Sequence, residues 1–275
     1  IIYLYSAQKM KQNGEKVLNI LVVYLPIPSH LGEMKTKPAQ HAARDLRSIG
    51  ISPNIIIGRS KRGMDEIRKN KISEFAFVNK EDIFSCPDTD FIYEIPLILE
   101  KQGIYNSIRK YLGLEEREVN WRDWEKRIEN LKNPKEEVNI VIVGKYIKSG
   151  EFELPDSYLS IKESLIHAWA ETGIKPKIAW IDSTKEFKLD GFDGIIVPGG
   201  FGSKGVEGKI NAIRYAREND IPYLGLCYGM QLAIVEIARN LAGLEGAHTT
   251  EINPKTQYPV IDILPEQREY LKSMT

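Results

Sequence analysis

The residues in this chain best suited to covalent chemistry are Gly225-Leu-Cys227-Tyr-Gly229. Gly-x-nucleophile-x-Gly marks a sharp strand-to-helix turn, here carrying a thiol where hydrolases carry a serine. Such a turn strains the backbone and lifts the side chain above the carboxyl edge of a parallel sheet, where ligands bind in such folds. Small residues on either side let the chain double back without a Cβ clash. The helix that follows brings its amide-rich, positive end to the sulfur, a setting in which thiols are activated. The plainer alternative makes Cys227 a small core residue, since cysteine is among the most buried types. Gly199-Gly200 weighs against that alternative. A backbone amide of this turn can face the elbow and share an oxyanion with the amide of Tyr228. Together these features predict acyl transfer through a thioester.

A cysteine nucleophile ordinarily needs a base. The candidates are His30, His41, His167 and His248. His167 lies on a predicted helix well before the elbow. His248 follows it by 21 residues in Gly-Ala-His-Thr-Thr-Glu, a spacing that fits no triad and suits a loop histidine better. Cys86, in Phe-Ser-Cys-Pro-Asp, has no comparable setting and reads as structural.

A second chemical signal is a charge bias. Between Leu31 and Lys71, ten cations (Lys35, Lys37, Arg44, Arg47, Arg59, Lys61, Arg62, Arg68, Lys69, Lys71) face four anions (Glu33, Asp45, Asp65, Glu66). Such a patch attracts phosphates or another anionic ligand, or it is simply a solvated face.

The elements that must position these residues fall into two α/β segments. In the first, Val17–Leu25 reads as a buried strand. A helix follows with apolar positions Ala39, Ala42, Leu46 and Ile49, stopped by Gly50 and Pro53. The next strand is Asn54–Ile57, and strand-helix-strand order predicts a parallel pair. Phe75–Val78 reads as another short strand, and Ile95–Gln102 begins a helix. Trp121, Trp124, Ile128 and Leu131 form a one-sided stripe within Asn120–Asn133, read as a connector docked by its tryptophans. The second segment offers strands at Val138–Val143, Ile178–Ile181, Gly194–Val197 and Pro222–Leu226. Its helices are marked by Tyr158, Ile161, Leu165 and Ala168, ending at Gly173, and by Ile210–Glu218. In the final helix, Met230, Ala233, Ile234, Ile237, Ala238 and Leu241 share one face. The expected fold is α/β with two doubly wound parallel-sheet domains. The expected boundaries are 1–115, a linker at 116–136, and 137–275.

Composition narrows the function classes. The 275 residues carry 38 Lys+Arg and 38 Asp+Glu, with 42% hydrophobic and 28% charged residues, the profile of a folded globular protein. A neutral total argues against a nucleic-acid partner. No apolar run approaches the ~20 residues of a membrane span, and two cysteines suit a reducing cytoplasm.

With these residues in view, the chain resembles the CTP synthase family of glutamine-dependent amidoligases. In the first segment the likeness rests on Gly32-Glu-Met-Lys-Thr-Lys-Pro-Ala-Gln-His41, Ser48–Asn54 and Ile92-Tyr-Glu-Ile-Pro96. In the second it rests on Val143-Gly-Lys-Tyr146, Leu154-Pro-Asp156, Val197-Pro-Gly-Gly-Phe-Gly202, Gly205-Val-Glu-Gly208, Tyr215–Asn219 and Ile221–Gln231. These blocks occur in family order over nearly the whole chain.

The resemblance implies that the first segment is a partial P-loop-like amidoligase domain and the second a partial class I glutamine amidotransferase domain of flavodoxin-like fold. It implies that Cys227 attacks the glutamine carboxamide, with Gly200 and Tyr228 as oxyanion amides and Gln231 and Glu251 holding glutamine. Lys35, Thr36, Lys37, Pro38, Ala39, Gln40 and Lys71 match the stretch that reads UTP, or CTP as inhibitor. Pro87, Asp88 and Thr89 fall where the family contacts ATP. Mg2+ accompanies ATP, through ligands outside this segment, and the family implies GTP as activator and a homotetramer. Departures include Ala39 for Thr, Phe77 for Asn, Tyr228 for Leu, and a longer lid at Ile147–Phe152. The P-loop and the distal His-x-Glu are not in this sequence, which is expected to be a middle portion with little CTP-forming activity alone. Two other readings stay open, a stand-alone thiol amidohydrolase and a nonhydrolytic UTP/CTP-binding scaffold.

Overall fold

Hydrophobic β-branched runs alternate with one-sided helices along this chain, and the computed structural model resolves that pattern into two α/β units, residues 1–128 and 129–275. It describes residues 2–145, 148–149, 152–153 and 155–267.

The first unit opens with helix α1 (Ile2–Gln12), none of whose residues is buried. Strands β1 (Ile20–Tyr24), β2 (Ile55–Ser60) and β3 (Ile83–Pro87) form a parallel sheet in that order. The expected β1–β2 parallel pair is present, with Ile20 opposite Ile55 and Tyr24 opposite Arg59. The crossover is α2 (Lys37–Ser48), whose first turn contains Pro38, a residue preorganised for that position. Ala39 and Ala43 face inward and their small size lets α2 sit close to the sheet. Beside them, Leu25, Ile56, Ile72 and Ile83 complete the core.

Two expectations for this unit are corrected. β1 is not buried on both faces: Ile20, Val22 and Tyr24 are exposed, because β1 is an edge strand with one face bare. Phe75–Val78 is not a strand. It ends α3 (Glu66–Ala76), which Asp65 caps by accepting from the Arg68 amide, and Phe77 leaves the helix in the left-handed region at φ 55°. A capped helix with Ile72 and Ala76 buried outweighs a four-residue aromatic cue. Cys86 lies in β3, 2% exposed, and burial pushes its thiol pKa up.

Helices α4 (Ile95–Glu100) and α5 (Ile104–Leu112) follow, then α6 (Arg122–Lys132). Within the first unit, Trp124 Nε1 donates to the Tyr93 carbonyl. Within the second, Asn130 Nδ2 donates to the Ala170 carbonyl and Trp169 Nε1 to that of Asn130.

The second unit is built on β4 (Glu136–Gly144), with the short antiparallel pair β5 (Lys148–Ser149) and β6 (Phe152–Glu153) after it. The remainder of the segment 146–154, with half of the expected lid, lies outside the described residues. Helix α7 (Leu159–Thr172) ends at Gly173 in the left-handed conformation, as expected of a glycine C-cap. Strands β7 (Ile174–Asp182), β8 (Gly194–Val197) and β9 (Tyr223–Gly225) join β4 in a parallel sheet of order β7-β4-β8-β9. Between β8 and β9 runs α8 (Val206–Glu218). After β9 come α9 (Tyr228–Asn240) and a parallel pair, β10 (His248–Thr249) and β11 (Pro259–Ile261). Val141, Val143, Ile195, Val197, Ile210, Ile213, Leu232 and Val235 form the core.

The apolar stripe read on α9 is mostly its outer face. Met230, Ile234, Ile237 and Leu241 are exposed, while Tyr228, Leu232, Val235 and Ala238 are buried. Helix α9 is apolar over more than half its circumference, so the periodic stripe alone does not choose the face. A fully buried Glu236, paired with Arg217 of α8 at 2.9 Å, lies on the inner side.

Candidate active site

β9 ends at Gly225 and α9 begins at Tyr228, so the whole reversal is made by Leu226 and Cys227. Cys227 has φ 52° and ψ −108°, a conformation costing an L-residue ~1–3 kcal/mol. Both flanking glycines are required by contact. A Cβ on Gly225 would lie 2.6 Å from Tyr223 Oη and 2.7 Å from the Met230 nitrogen. One on Gly229 would overlap the carbonyl oxygen of Val197. Tyr223 Oη donates to the Gly229 carbonyl at 2.8 Å and ties the two arms of the elbow together. The result is an exposed Cys227 thiol, the opposite of the core-residue alternative.

The turn after β8 packs directly on this sulfur. A Cβ on Gly199 would lie 3.4 Å from Cys227 Cβ and 3.7 Å from Sγ. Gly200 has φ 136°, open to glycine alone among the common residues. The amides of Gly200 and Tyr228 have no hydrogen-bond partner among the described residues. Free N–H groups at a strained nucleophile are what an oxyanion requires. The turn, with Tyr158, Leu159 and Phe201, lines a cavity of about 380 Å3.

The loop after β10 brings Glu251 to the same turn, its Oε1 accepting from the Gly202 amide at 2.9 Å. Gln231 sits one turn into α9, its amide donating to the Cys227 carbonyl at 3.2 Å, its side chain half-buried. Tyr228 contributes its backbone only. The ring is 2% exposed and its hydroxyl has no partner; burial, reinforced by Glu251, pushes its pKa up to about 12.

Lys209 of α8 was not singled out by sequence, yet it reaches this turn from beneath. It is 1% exposed, and its Nζ donates to the carbonyls of Pro198 at 2.8 Å and Gly199 at 3.2 Å. The available signal was its place in the apolar stripe, three residues after Val206 and four before Ile213. Lys145 Nζ donates to the Phe201 carbonyl on the outer side of the turn.

His248 is engaged elsewhere. Its Nδ1 accepts from the Thr249 amide at 2.9 Å and its Nε2 lies 3.7 Å from Glu207. Burial first, then Arg239, lowers its pKa. No hydrogen bond joins a histidine to Cys227 among the described residues.

In the first unit, Lys35, Thr36, Lys37 and Lys71 line a cavity of about 400 Å3 with Glu33 and Arg68. Glu33 is held below the usual carboxylate range by Lys35, then Arg68, each 2.8 Å away. Lys37 and Lys71 have no ion-pair partner among the described residues. Other members of the expected nucleotide set are placed differently. Ala39 is fully buried in the core, which directs its methyl away from the cavity. Pro38 serves the helix start, and Gln40 Nε2 donates to Thr36 Oγ1 at 3.1 Å. Pro87, Asp88 and Thr89 sit at the carboxyl end of β3, outside this cavity. There Asp88 pairs with Arg59 at 3.5 Å and Thr89 Oγ1 donates to Glu94 at 2.8 Å. Phe77 is exposed, its ring 5.0 Å from the Arg47 guanidinium. No helix among the described residues is long and apolar enough to cross a membrane.

Comparison with known proteins matches both units. Residues 1–114 match the family model for the CTP synthase N-terminus, and residues 153–269 that for class I glutamine amidotransferases. CTP synthase of Pyrococcus furiosus is 49% identical over 273 residues, covering 97% of this chain and 50% of that protein. The Methanocaldococcus jannaschii CTP synthase is 50% identical over 267 residues, 93% of this chain and 48% of that protein. Among solved structures, the glutaminase domain of Trypanosoma brucei CTPS with bound acivicin is 35% identical, covering 46% of this chain and 50% of that one, with a TM-score of 0.42. The chain thus spans about half the length of the curated relatives it matches, in a region that includes parts of both their domains. On this sequence likeness, the chain belongs to the CTP synthase family.

Proposed function

We propose that this chain carries the glutamine-splitting nucleophile and the pyrimidine-nucleotide phosphate site of a glutamine-hydrolysing CTP synthase, which aminates UTP at the expense of ATP. The observation that carries the first part is Cys227, held exposed at φ 52° against the Gly199-Gly200 turn, with the Gly200 and Tyr228 amides unpartnered among the described residues. The sulfur attacks the carboxamide carbon of glutamine. As the S–C bond forms, the carbonyl electron pair moves onto oxygen, which the Gly200 and Tyr228 amides receive. The C–N bond then breaks, nitrogen leaves as ammonia with the proton that the Cys227 thiol gives up, and water releases glutamate from the thioester and returns a proton to the sulfur. Gln231 and Glu251 hold the substrate beside the turn.

In the first unit, Lys37 and Lys71 offer unpaired charge to the triphosphate of UTP, or of CTP as feedback inhibitor, with Lys35 and Thr36 at the same cavity. Pro38 and Gln40 support the Thr36–Lys37 helix start, while Pro87, Asp88 and Thr89 are the proposed ATP contacts. Mg2+ enters the proposal with ATP; among the described residues no group of three or more His, Cys, Asp or Glu side chains is placed to hold a metal ion. GTP activation, a homotetramer and a cytoplasmic setting complete the proposal at the level of the whole protein.

The test is a glutamine analogue bearing a chloroketone in place of the carboxamide, read by intact mass. One adduct on Cys227, protected by excess glutamine and lost in Cys227→Ala, is expected. Labelling that survives Cys227→Ala would overturn the reading. Calorimetry with UTP tests the other half, with loss of binding expected in the Lys37→Ala, Lys71→Ala double variant.

A further inference from the structure

A lysine ammonium out of reach of water ordinarily has a carboxylate beside it, because an unpaired charge is costly to bury. Lys209 breaks that rule. It is 1% exposed, and both its hydrogen bonds end on backbone carbonyls, those of Pro198 and Gly199. No ion pair reaches it among the described residues. Its pKa is lowered to about 8, by burial first and then by Lys145, while Cys227 opposes the shift. A side chain that only filled the core here would be a leucine or methionine.

The identity of the second carbonyl supplies the reason. Gly199 O and Gly200 N–H belong to the same peptide unit. That unit is planar, and among the described residues no peptide is cis, so the oxygen and the hydrogen point in opposite directions. Fixing the oxygen therefore fixes the hydrogen. A Gly-Gly pair is the dipeptide least able to hold its own peptide plane, since neither residue has a Cβ to restrict φ or ψ. Yet this turn packs on Cys227, where the direction of the Gly200 amide decides whether an oxyanion is received or repelled.

We propose that Lys209 is a positioning residue whose buried ammonium grips the Pro198 and Gly199 carbonyls and so presents the Gly200 N–H to the oxyanion formed at Cys227. Released from Lys209, the peptide can rotate and place a carbonyl where the donor should be. The proposal rests on the amide-splitting reading of Cys227 and adds to it the device that keeps the oxyanion site in its working state.

The test separates attack by the sulfur from stabilisation of the oxyanion. Iodoacetamide alkylates a thiol by displacement and forms no oxyanion. The γ-semialdehyde of glutamate adds to the thiol as a hemithioacetal whose oxygen requires the amides. Both are measured at pH 7.5 on the unmodified chain, on Lys209→Met, which keeps the stem and removes the charge, and on Lys209→Gln, which keeps an N–H donor. Expected for Lys209→Met is a fall of at least about tenfold in semialdehyde affinity, below the 10²–10³ for removing such a donor outright, with alkylation within about twofold. Lys209→Gln is expected to recover part of the loss. Equal semialdehyde affinity in all three proteins, or a parallel loss of both reactions in variants that melt normally, would overturn the proposal. Should Lys209→Met not fold, an unchanged affinity in Lys209→Gln and in Lys209→Leu at low temperature overturns it, and a selective loss in either supports it. A different failure marks the underlying reading: if the unmodified chain forms no hemithioacetal at Cys227, the amide-splitting account falls first.

Discussion

The α-carbon of Gly229 lies against the carbonyl oxygen of Val197 so closely that a side chain cannot be placed between them. Gly229 lies in the first turn of α9 and Val197 closes β8, so this contact sets how near the helix comes to the sheet. Gly229→Ala must push helix and strand apart, and overpacking of this kind costs ~1–3 kcal/mol or more. The expected outcome is a clear drop in the melting temperature together with loss of labelling at Cys227. An unchanged melting curve would contradict the packing described.

The two cysteines should react very differently. Cys227 is exposed and Cys86 is 2% exposed, its thiol pKa raised by burial. Under native conditions iodoacetamide should modify Cys227 at least about tenfold faster than Cys86, since reaction requires an accessible thiolate. Peptide mapping after timed quenching measures the ratio. Equal rates before and after addition of urea would refute it.

Tyr228 buries a hydroxyl with no partner, so Tyr228→Phe should stabilise the protein by about 1 kcal/mol. The backbone amide is untouched, and labelling of Cys227 should be unaffected. The tyrosine also carries a pH signature. Its pKa rises from the ordinary 10 to about 12 on folding, so the folded state binds more protons between those values. Its contribution to stability is therefore complete below pH 10 and lost as pH rises towards 12. Denaturation midpoints between pH 9 and 12 should fall less steeply in Tyr228→Phe, and identical slopes would remove Tyr228 as a contributor.

Lys37 and Lys71 each offer one unpaired charge to the cavity shared with Thr36. Replacing either by alanine should weaken UTP and CTP triphosphate binding by about fivefold to tenfold and reduce its salt dependence. Ala39→Ser, buried in the core, should lower stability without changing the salt dependence. Titration calorimetry at two ionic strengths distinguishes the two outcomes.

Much of the site was legible because its residues are constrained by local geometry. Gly225, Cys227 and Gly229 must stand in that spacing for a strand to turn into a helix, and Gly199-Gly200 must follow a strand for its amides to be free. These are short-range requirements that a sequence carries openly. The misreadings arose where tertiary contact decides. Met230, Ile234, Ile237 and Leu241 form as good a stripe as Leu232 and Val235, and only packing on α8 and the sheet selects between them. Phe75–Val78 is strand-like in composition, yet the Asp65 cap and two buried positions keep it helical. Ala39 stands inside a nucleotide-like block, but the helix period turns it to the core. Lys209 was missed for a related reason: its place in a stripe of valine and isoleucine signals burial, but not the carbonyls that a buried lysine would hold.

The backbone at position 227 has a further meaning. A glycine there would sit without strain, so a Cys227→Gly protein should survive heat better than the native one while doing no chemistry. Durability and reactivity pull in opposite directions at a single α-carbon, and the molecule keeps its sulfur only by tolerating a permanently uncomfortable bend.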